Sequence, residues 1–499
     1  MKNFKNSTSI ELSPVPVMDM GILLSPDNRC VIARPHVPYN ESRVERIIAR
    51  ALSLDEAEAL KALGDVRDGF GRRHRNFESL LERQFEAVRR LMPSDAMPSR
   101  ERRMLIGSLF LAEYAFEAAA LFNPSIVPHP DQSGLPGGSL RFVMSLRATG
   151  EGHISSLTFR SGTIDAANNI AVDAPGVFAS PAEMKENSLY DKDCFARKLR
   201  EMGAISDLSK SVVGELAAEF TFADLQEKIK HYSFNHRPLP ADDRTASDKI
   251  LWLARCNYEA RFDPATALPE RVLFPMSPSE QNGIEDARFV LFTEDDGRSK
   301  YYATYTAYDG KAVLPQLMET GDFEHFKMST LNGNAAVNKG MALFPRKING
   351  RYAMISRQDN ENLFLMYSDN IHFWHEALPL LKPSFPWEYV QIGNCGSPIE
   401  TKHGWILLTH GVGPFRQYAV SAVLLDRDNP LKILGRLNEP LIQWTEASRS
   451  GYVPNVVYTC GSLLHQETLV VPYAMSDQKT AISLIPVPAL IDRMLQGSK

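Results

Sequence analysis

Glu285 and Asp286 stand side by side in "QNGIEDARFV" (281–290), with Arg288 just beyond them and an apolar segment directly after. Adjacent carboxylates repel, so a site that keeps both hydrogen-bonds one and uses the other. Carboxyl groups placed in this way suit proton transfer. Other polar groups recur at one relative position along the chain: Arg147, Tyr308-Asp309, Arg357 in "SRQDN", His410 in "THGVG" and Asp477 in "YAMSD". Acids together with Arg, His and Tyr suit a polyhydroxylated ligand plus an anion. Carboxylates accept from sugar hydroxyls, and the basic and phenolic groups donate to a phosphate or carboxylate.

The elements that must position these groups repeat as well. From about residue 123, short β-branched and aromatic runs alternate with Gly, Asn and Asp turns. They fall into five comparable units: "SLRFVMSLRATGEGHISSLTFRSG", "ARFVLFTEDDGRSKYYATYTAYDG", "MALFPRKINGRYAMISRQDNENLFLMYSDNIHFW", "GSPIETKHGWILLTHGVGPFRQYAVSAVLLD" and "GSLLHQETLVVPYAMSDQKTAISLIPV". The clearest units read strand, tight turn (Asn349-Gly350, His403-Gly404), strand, polar cluster, strand. Repeats of this length in an all-β region predict a propeller with one sheet per unit. A large sandwich also spaces its strands evenly, but it does not explain why the polar cluster recurs at the end of each second strand. On a propeller those ends ring one end of the axis, so the residues converge on one pocket.

The expected fold is mainly β: a five-bladed β-propeller with an N-terminal α-helical region and a helical insertion. Residues 1–122 form a strand and helical region, and residues 123–499 form the propeller, with the insertion at about 166–249. "GILLSPDNRCVIARPHVP" predicts one or two strands broken at Pro-Asp-Asn. In "HRNFESLLERQFEAVRRLM", Phe77, Leu80, Leu81, Phe85, Val88 and Leu91 mark one buried helical face. The run 104–122 reads as a buried helix with Glu113 and Glu117 on one face, too costly a pair for a membrane span. Thr221 and Asp224 have capping-box spacing, and "NHRPLPADDRTASD" has a loop's composition. "GEG" at 150–152 is no phosphate loop, because no helix follows it.

Lys+Arg total 55 against Asp+Glu 60, a net charge of -5, which gives no global reason to bind nucleic acid or an anionic membrane. Cys30, Cys194, Cys256, Cys395 and Cys460 are scattered, without a CxxC, as in a reducing compartment without a structural metal. The stretch "MKNFKNSTSIELSPVPVMDMG" has no apolar core of a secretion signal, so the expected location is cytoplasmic. The apolar stripes of the N-terminal helices also suit self-association into a homo-oligomer.

"GIEDARF", "YYATYTAYDG", "ALFPRKINGRYAMISR", "IGNCGSPIETKHGWILLTHGV", "AVLLDRDNP" and "GYVPNVVYTCG" resemble, in order, the motifs of glycoside hydrolase family 130. The likeness covers about 123–165 and 250–487. It implies a five-bladed-propeller inverting enzyme acting on β-mannosides, in most members by phosphorolysis and in some by hydrolysis. It implies Asp286 as the general acid, its proton relayed through a mannose hydroxyl while phosphate or water attacks the opposite face. Ala287 stands where the family usually has Pro. Inverting hydrolases hold their two carboxyl groups roughly 6.5–9.5 Å apart. Neighbours such as Glu285 and Asp286 do not suit that, so Glu285 is a binding or structural carboxylate. Arg288 is expected to pair with a neighbouring carboxylate and hold the loop.

By motif position Arg357, His410 and Tyr418 match the family's phosphate-binding residues, and Lys339 sits where another basic residue is usual. Gln391 stands where phosphorylases carry a lysine, and no carboxylate replaces it as a base for water. Arg147, Glu285, Tyr308, Asp309 and Asp477 are the candidate substrate contacts. Taken singly, each has an ordinary structural explanation: Asp309-Gly310 as a turn, Tyr308 and Tyr418 as core aromatics, His410 as a structural residue, Arg147 and Arg357 as inter-blade ion pairs. The leading expectation is a β-mannoside phosphorylase that uses inorganic phosphate as co-substrate and needs no other cofactor or metal. A hydrolase, a mannosyltransferase using a sugar nucleotide, and a non-catalytic carbohydrate-binding platform are the alternatives.

Overall fold

The computed structural model describes residues 15–185, 188–446 and 449–497. The first fourteen residues, with most of the stretch read for a secretion signal, lie outside them. Among the described residues no helix is long and apolar enough to cross a membrane.

The strand pattern between residues 120 and 486 folds into antiparallel sheets that follow the sequence repeats. The first unit pairs Ala120–Pro128, Leu140–Thr149 and Ser155–Ile164; the second pairs Gly283–Thr293, Ser299–Tyr308, Val313–Thr320 and His325–Thr330. These two units belong to one twelve-stranded sheet, because Gly283 pairs in parallel with Ser155. The third unit is a four-stranded sheet over 342–381, and the fourth a six-stranded sheet over 391–443. The fifth holds Thr468–Met475 and Lys479–Pro486. The N-terminal strand Met18–Leu24 completes it by pairing antiparallel with the last strand, Met18 opposite Leu484. The turn Asn349-Gly350 has positive φ at both residues, which closes Ile348 against Arg351 at little steric cost.

Among the described residues four helices precede the first sheet unit: α1 (Glu41–Ser53), α2 (Glu56–Phe70), α3 (Phe77–Val88) and α4 (Arg100–Ser108). Asn40 caps α1 and an Asp55–Glu58 capping box opens α2. The apolar stripe of α3 buries Leu81, Phe85 and Val88 as its spacing predicts. Gly107 is required where α4 crosses α3, since a Cβ there would lie 2.0 Å from the Leu81 carbonyl.

The run 104–122 is not one helix. After α4 ends at Ser108, Leu111–Ala115 forms a strand against Val31–Pro35, and Ala120–Pro128 enters the first sheet. Periodicity alone does not separate a short apolar helix from a strand buried on both faces, and 120–127 is buried at every position. Glu113 and Glu117 therefore share no helix face. Glu113 pairs with Arg73 and His74, and buried Glu117 pairs with Arg160 at 3.2 Å.

Between the first and second units lie α5 (Lys192–Glu201), α6 (Asp207–Glu215), α7 (Phe222–Asn235) and α8 (Ala241–Cys256), which bury a core of their own around Phe195, Leu208, Phe220 and Leu253. The Thr221–Asp224 capping box opens α7. The loop expected over 235–248 is half helix, because α8 begins at Ala241. Asp243 in its first turn accepts from the Leu208 amide at 3.0 Å, and that tertiary bond overrides the polar composition. "GEG" at 150–152 leads through a short turn into a strand, not a helix.

Short turns with a buried glutamate at their third position precede two strands of the later units. Glu280 accepts from the Met276 and Ser277 amides and from the hydroxyls of Tyr258 and Tyr305, ahead of the strand that carries Asp286. Glu388 accepts from the Ser384 and Phe385 amides and from Arg436 at 2.9 and 3.0 Å, ahead of Gln391. Glu388 is fully buried. Removing its one cation partner among the described residues leaves an uncompensated charge, so Arg436→Met is expected to cost roughly 3 kcal/mol in urea denaturation. Glu388→Gln in the same chain is expected to recover part of that loss.

Candidate functional site

In a regular strand Glu285 and Asp286 would point to opposite faces. The register of Gly283–Thr293 against its neighbour shifts between Glu285 and Arg288, and Asp286 has φ 54°. This bulge turns both carboxylates to the same guanidinium. Arg147 donates to Glu285 Oε1 at 2.7 Å, to Asp286 Oδ1 at 3.1 Å and to Ser155 Oγ at 2.9 Å. A second irregularity faces the first. The strand Ala120–Pro128 shifts register between Phe122 and Ser125, with Asn123 at φ 49°, and Asn123 Nδ2 donates to Asp286 Oδ1 at 2.6 Å. Asp and Asn are among the residues that tolerate positive φ, which is the local reason these types occupy both bends. Ser125 Oγ ties the two strands by accepting from the Phe289 amide.

Arg288 holds this loop differently from expectation. It donates to the Asp286 backbone carbonyl at 3.0 Å and to the Tyr458 hydroxyl at 2.5 Å, and pairs with no carboxylate among the described residues. The carboxylates already have Arg147.

The phosphate-binding candidates gather beyond Tyr458. The His410 ring stacks on Tyr418 with centroids 5.6 Å apart and meets Tyr458 edge-on at 4.8 Å. Gln391 reaches the same ring. With its amide oriented to satisfy both ends, its oxygen accepts from Arg357 Nη1 and its nitrogen donates to the Asn360 carbonyl at 3.3 Å. Arg357 Nε donates to the Lys339 carbonyl at 3.3 Å, which fixes the loop that carries Lys339.

The charges of this region act on one another. Burial would raise the Asp286 carboxyl. Arg147, Arg288 and Lys339, with the Asn123 hydrogen bond, hold it well below the usual carboxylate range instead. Burial pushes Asp477 up to about 6, with the nearby Asp286 charge adding and Arg147, Arg416 and Lys339 opposing. Burial, then the charges of Arg357 and Arg288, lower His410 well below its ordinary value, so it serves as a neutral hydrogen-bonding ring. Asn123 Oδ1, Arg288 Nε and both polar atoms of the Asn394 amide are buried without a hydrogen-bond partner among the described residues. Polar atoms in that state are groups a polar ligand could satisfy.

Ionised Asp477 is less favourable in the fold than in the unfolded chain, where its pKa is near 3.8. The wild type therefore loses stability as pH rises from about 4 through about 6. Asp477→Asn is expected to be more stable than wild type at pH 7.5 by up to about 3 kcal/mol, less what solvent access screens away. The two proteins should have equal urea midpoints at pH 4 once allowance is made for the amide itself.

The structure thus brings together Arg147, Glu285, Asp286, Lys339, Arg357, Gln391, His410, Tyr418 and Asp477. Among the described residues no hydrogen bond or ion pair ties Tyr308 or Asp309 to this set. The Tyr308 hydroxyl donates to the Gly310 carbonyl, and Asp309 accepts from the Lys311 and Ala312 amides in its own turn. Asn123, Ser155, Asn394 and Tyr458 join the set without having been singled out. For Asn123 the sequence signal is "NPS" interrupting an apolar run, a bulge signature hidden when the run is read as helix.

A family model described as beta-1,4-mannooligosaccharide phosphorylase matches residues 253–496, which includes every residue of the set from Glu285 onward. The 1,2-beta-oligomannan phosphorylase of Thermoanaerobacter sp. (strain X514) is 33% identical over 247 residues, 47% of this chain and 79% of that protein. A beta-1,2-mannobiose phosphorylase of the same strain is 32% identical over 237 residues, covering 46% and 73%. The beta-1,4-mannooligosaccharide phosphorylase of Ruminococcus albus is 28% identical over 242 residues, covering 45% and 70%.

Proposed function

The chain belongs to glycoside hydrolase family 130, and from that premise we propose that it is an inverting β-mannoside phosphorylase. Inorganic phosphate attacks the anomeric carbon, the C1–O bond breaks, and the proton held by Asp286 ends on the departing oxygen, giving α-mannose 1-phosphate. The five strand units are read as five blades around a shared axis, closed by the N-terminal strand. The observation that carries this reading is the adjacency of two clusters joined through Arg288 and Tyr458. One is an acid cluster around Asp286. The other is a donor cluster of Arg357, His410, Tyr418 and Gln391, with Lys339 beside it.

In this reading Arg147, Glu285, Tyr308, Asp309 and Asp477 contact the sugar. Asp286 is ionised before substrate binds, and a phosphate dianion seated in the donor cluster competes for Lys339 and repels the Asp286 charge. That raises the Asp286 pKa and lets the acid take up the proton it must deliver. The five cysteines are all free thiols, which supports a reducing, cytoplasmic setting.

A specific observation favours hydrolysis as the second reading. Gln391 brings no charge where phosphorylases carry lysine, and its oxygen occupies one Arg357 donor. The test incubates the protein with β-1,2- and β-1,4-mannobiose, with and without inorganic phosphate, following mannose 1-phosphate and free mannose. Phosphate-dependent mannose 1-phosphate is the expected product. Free mannose regardless of phosphate would establish the hydrolase, and silence in both arms would remove both readings.

A further inference from the structure

A cavity of about 910 Å³ lies between the helical segment and the start of the second sheet unit, lined by residues of α7, α8, the strand Val31–Pro35 and the segment 274–281. Most of what walls it from the helical side precedes residue 253, where the family match begins.

Its chemistry is distinctive. Arg34 lies over two rings, 4.4 Å from the Phe274 centroid and 5.0 Å from that of Tyr114, and Arg255 lies over Phe222 at 5.8 Å. Stacking fixes the guanidinium plane and leaves its N–H edge to donate. Neither arginine has a carboxylate within ion-pair distance among the described residues, and no described residue lining the cavity is acidic. The other cation, Lys185, is paired with Glu259 at 2.7 Å. The aromatic walls offer ring faces, while Tyr258 and Tyr190 spend their hydroxyls on Glu280 and the Ala254 carbonyl.

The cavity is connected to the acid cluster through the chain. Gln281 lies five residues before Asp286, and Ile154 precedes the Ser155 that accepts from Arg147. We propose that this cavity binds an anionic saccharide, one bearing a phosphate or carboxylate, with Arg34 and Arg255 donating to the anion and Phe222 and Phe274 flanking the sugar. The choice of a saccharide rests on the mannoside reading above. The cavity falls within the size range that encloses small ligands, and planar donors match both kinds of anion.

The test is calorimetric binding of mannose, mannose 6-phosphate and glucuronate to the full chain, which needs no turnover. At least one anionic sugar is expected to bind about tenfold more tightly than mannose, the scale of one charge-assisted hydrogen bond. That advantage is expected to disappear in Arg34→Gln and Arg255→Gln and to persist in Arg357→Gln. Which sugar shows it separates phosphate from carboxylate. Arg255 is exposed, so its variant carries the test even where Arg34→Gln fails to fold. Equal affinity for all three sugars would overturn the proposal. So would an advantage that survives in both cavity variants and vanishes only in Arg357→Gln. Failure to cleave any mannobiose, by contrast, would defeat the phosphorylase reading while leaving these binding results legible.

Discussion

Asp286→Asn is expected to lower kcat on a β-mannobiose by about 1,000-fold, within the range attributed to a positioned general acid, while substrate binding changes only a few-fold. The substitution is gentle on the structure. Asparagine tolerates the positive φ at this position, its oxygen still accepts from Asn123, and Arg147 keeps Glu285. What disappears is the proton and the charge. The discriminating measurement uses two substrates, mannobiose and a dinitrophenyl β-mannoside, whose leaving group needs no proton. A deficit that shrinks sharply on the activated substrate identifies Asp286 as the acid. An equal deficit on both would mean that Asp286 shapes the site without delivering a proton. Full activity on mannobiose would remove it from the mechanism.

The second large effect belongs to Arg147. It alone among the described cations donates to both carboxylates, and it stacks on Phe122 at 4.9 Å. Arg147→Met keeps much of the apolar stem and removes the charge, so two adjacent part-buried carboxylates lose their shared partner. A loss of roughly 3 kcal/mol at pH 7.5 is expected, as for breaking other buried pairs.

The pH dependence has a definite sign. In the wild type the folded-state pKa of Asp286 lies below its unfolded value near 3.8. It therefore contributes stability that is present above about pH 4 and lost as pH falls through the folded pKa. Without Arg147, burial acts on Asp286 with less opposition and this contribution shrinks or reverses. The stability deficit of the variant should therefore be largest near neutrality and smaller near pH 2, well below the unfolded carboxylate pKa. Urea denaturation at the two pH values measures it. An equal deficit at both would assign the role of Arg147 to its packing on Phe122.

Much of this site is carried by local pattern. The strand–turn–strand periodicity marks the sheet units, because alternation and turn chemistry are properties of a few neighbouring residues. It also places Arg147, Arg357, His410 and Asp477 at or just beyond the ends of second strands. The capping boxes at Asp55 and Thr221 are equally local. The motif order around Asp286, Gln391 and His410 led to family 130, to which the similar mannoside phosphorylases independently assign the chain.

Other features depended on contacts between distant segments. Asp286 and Glu285 share one guanidinium only because a bulge reverses the alternation of a strand. Asn123 reaches Asp286 only because an apolar run that also suits a helix becomes a strand buried on both faces. Arg288, preceded by two acids in sequence, donates to a backbone carbonyl and to a tyrosine 170 residues away, while Arg147 pairs with both acids. His410 is neutral because burial and two arginines from other sheets, Arg357 and Arg288, act on it, whereas Arg288 together with Arg147 and Lys339 holds Asp286 ionised. Residue type and spacing thus determined which groups were available for this chemistry. The packing of sheets against one another decided which of them meet, and in which state of charge, because burial and Coulomb interaction depend on neighbours in space rather than in sequence.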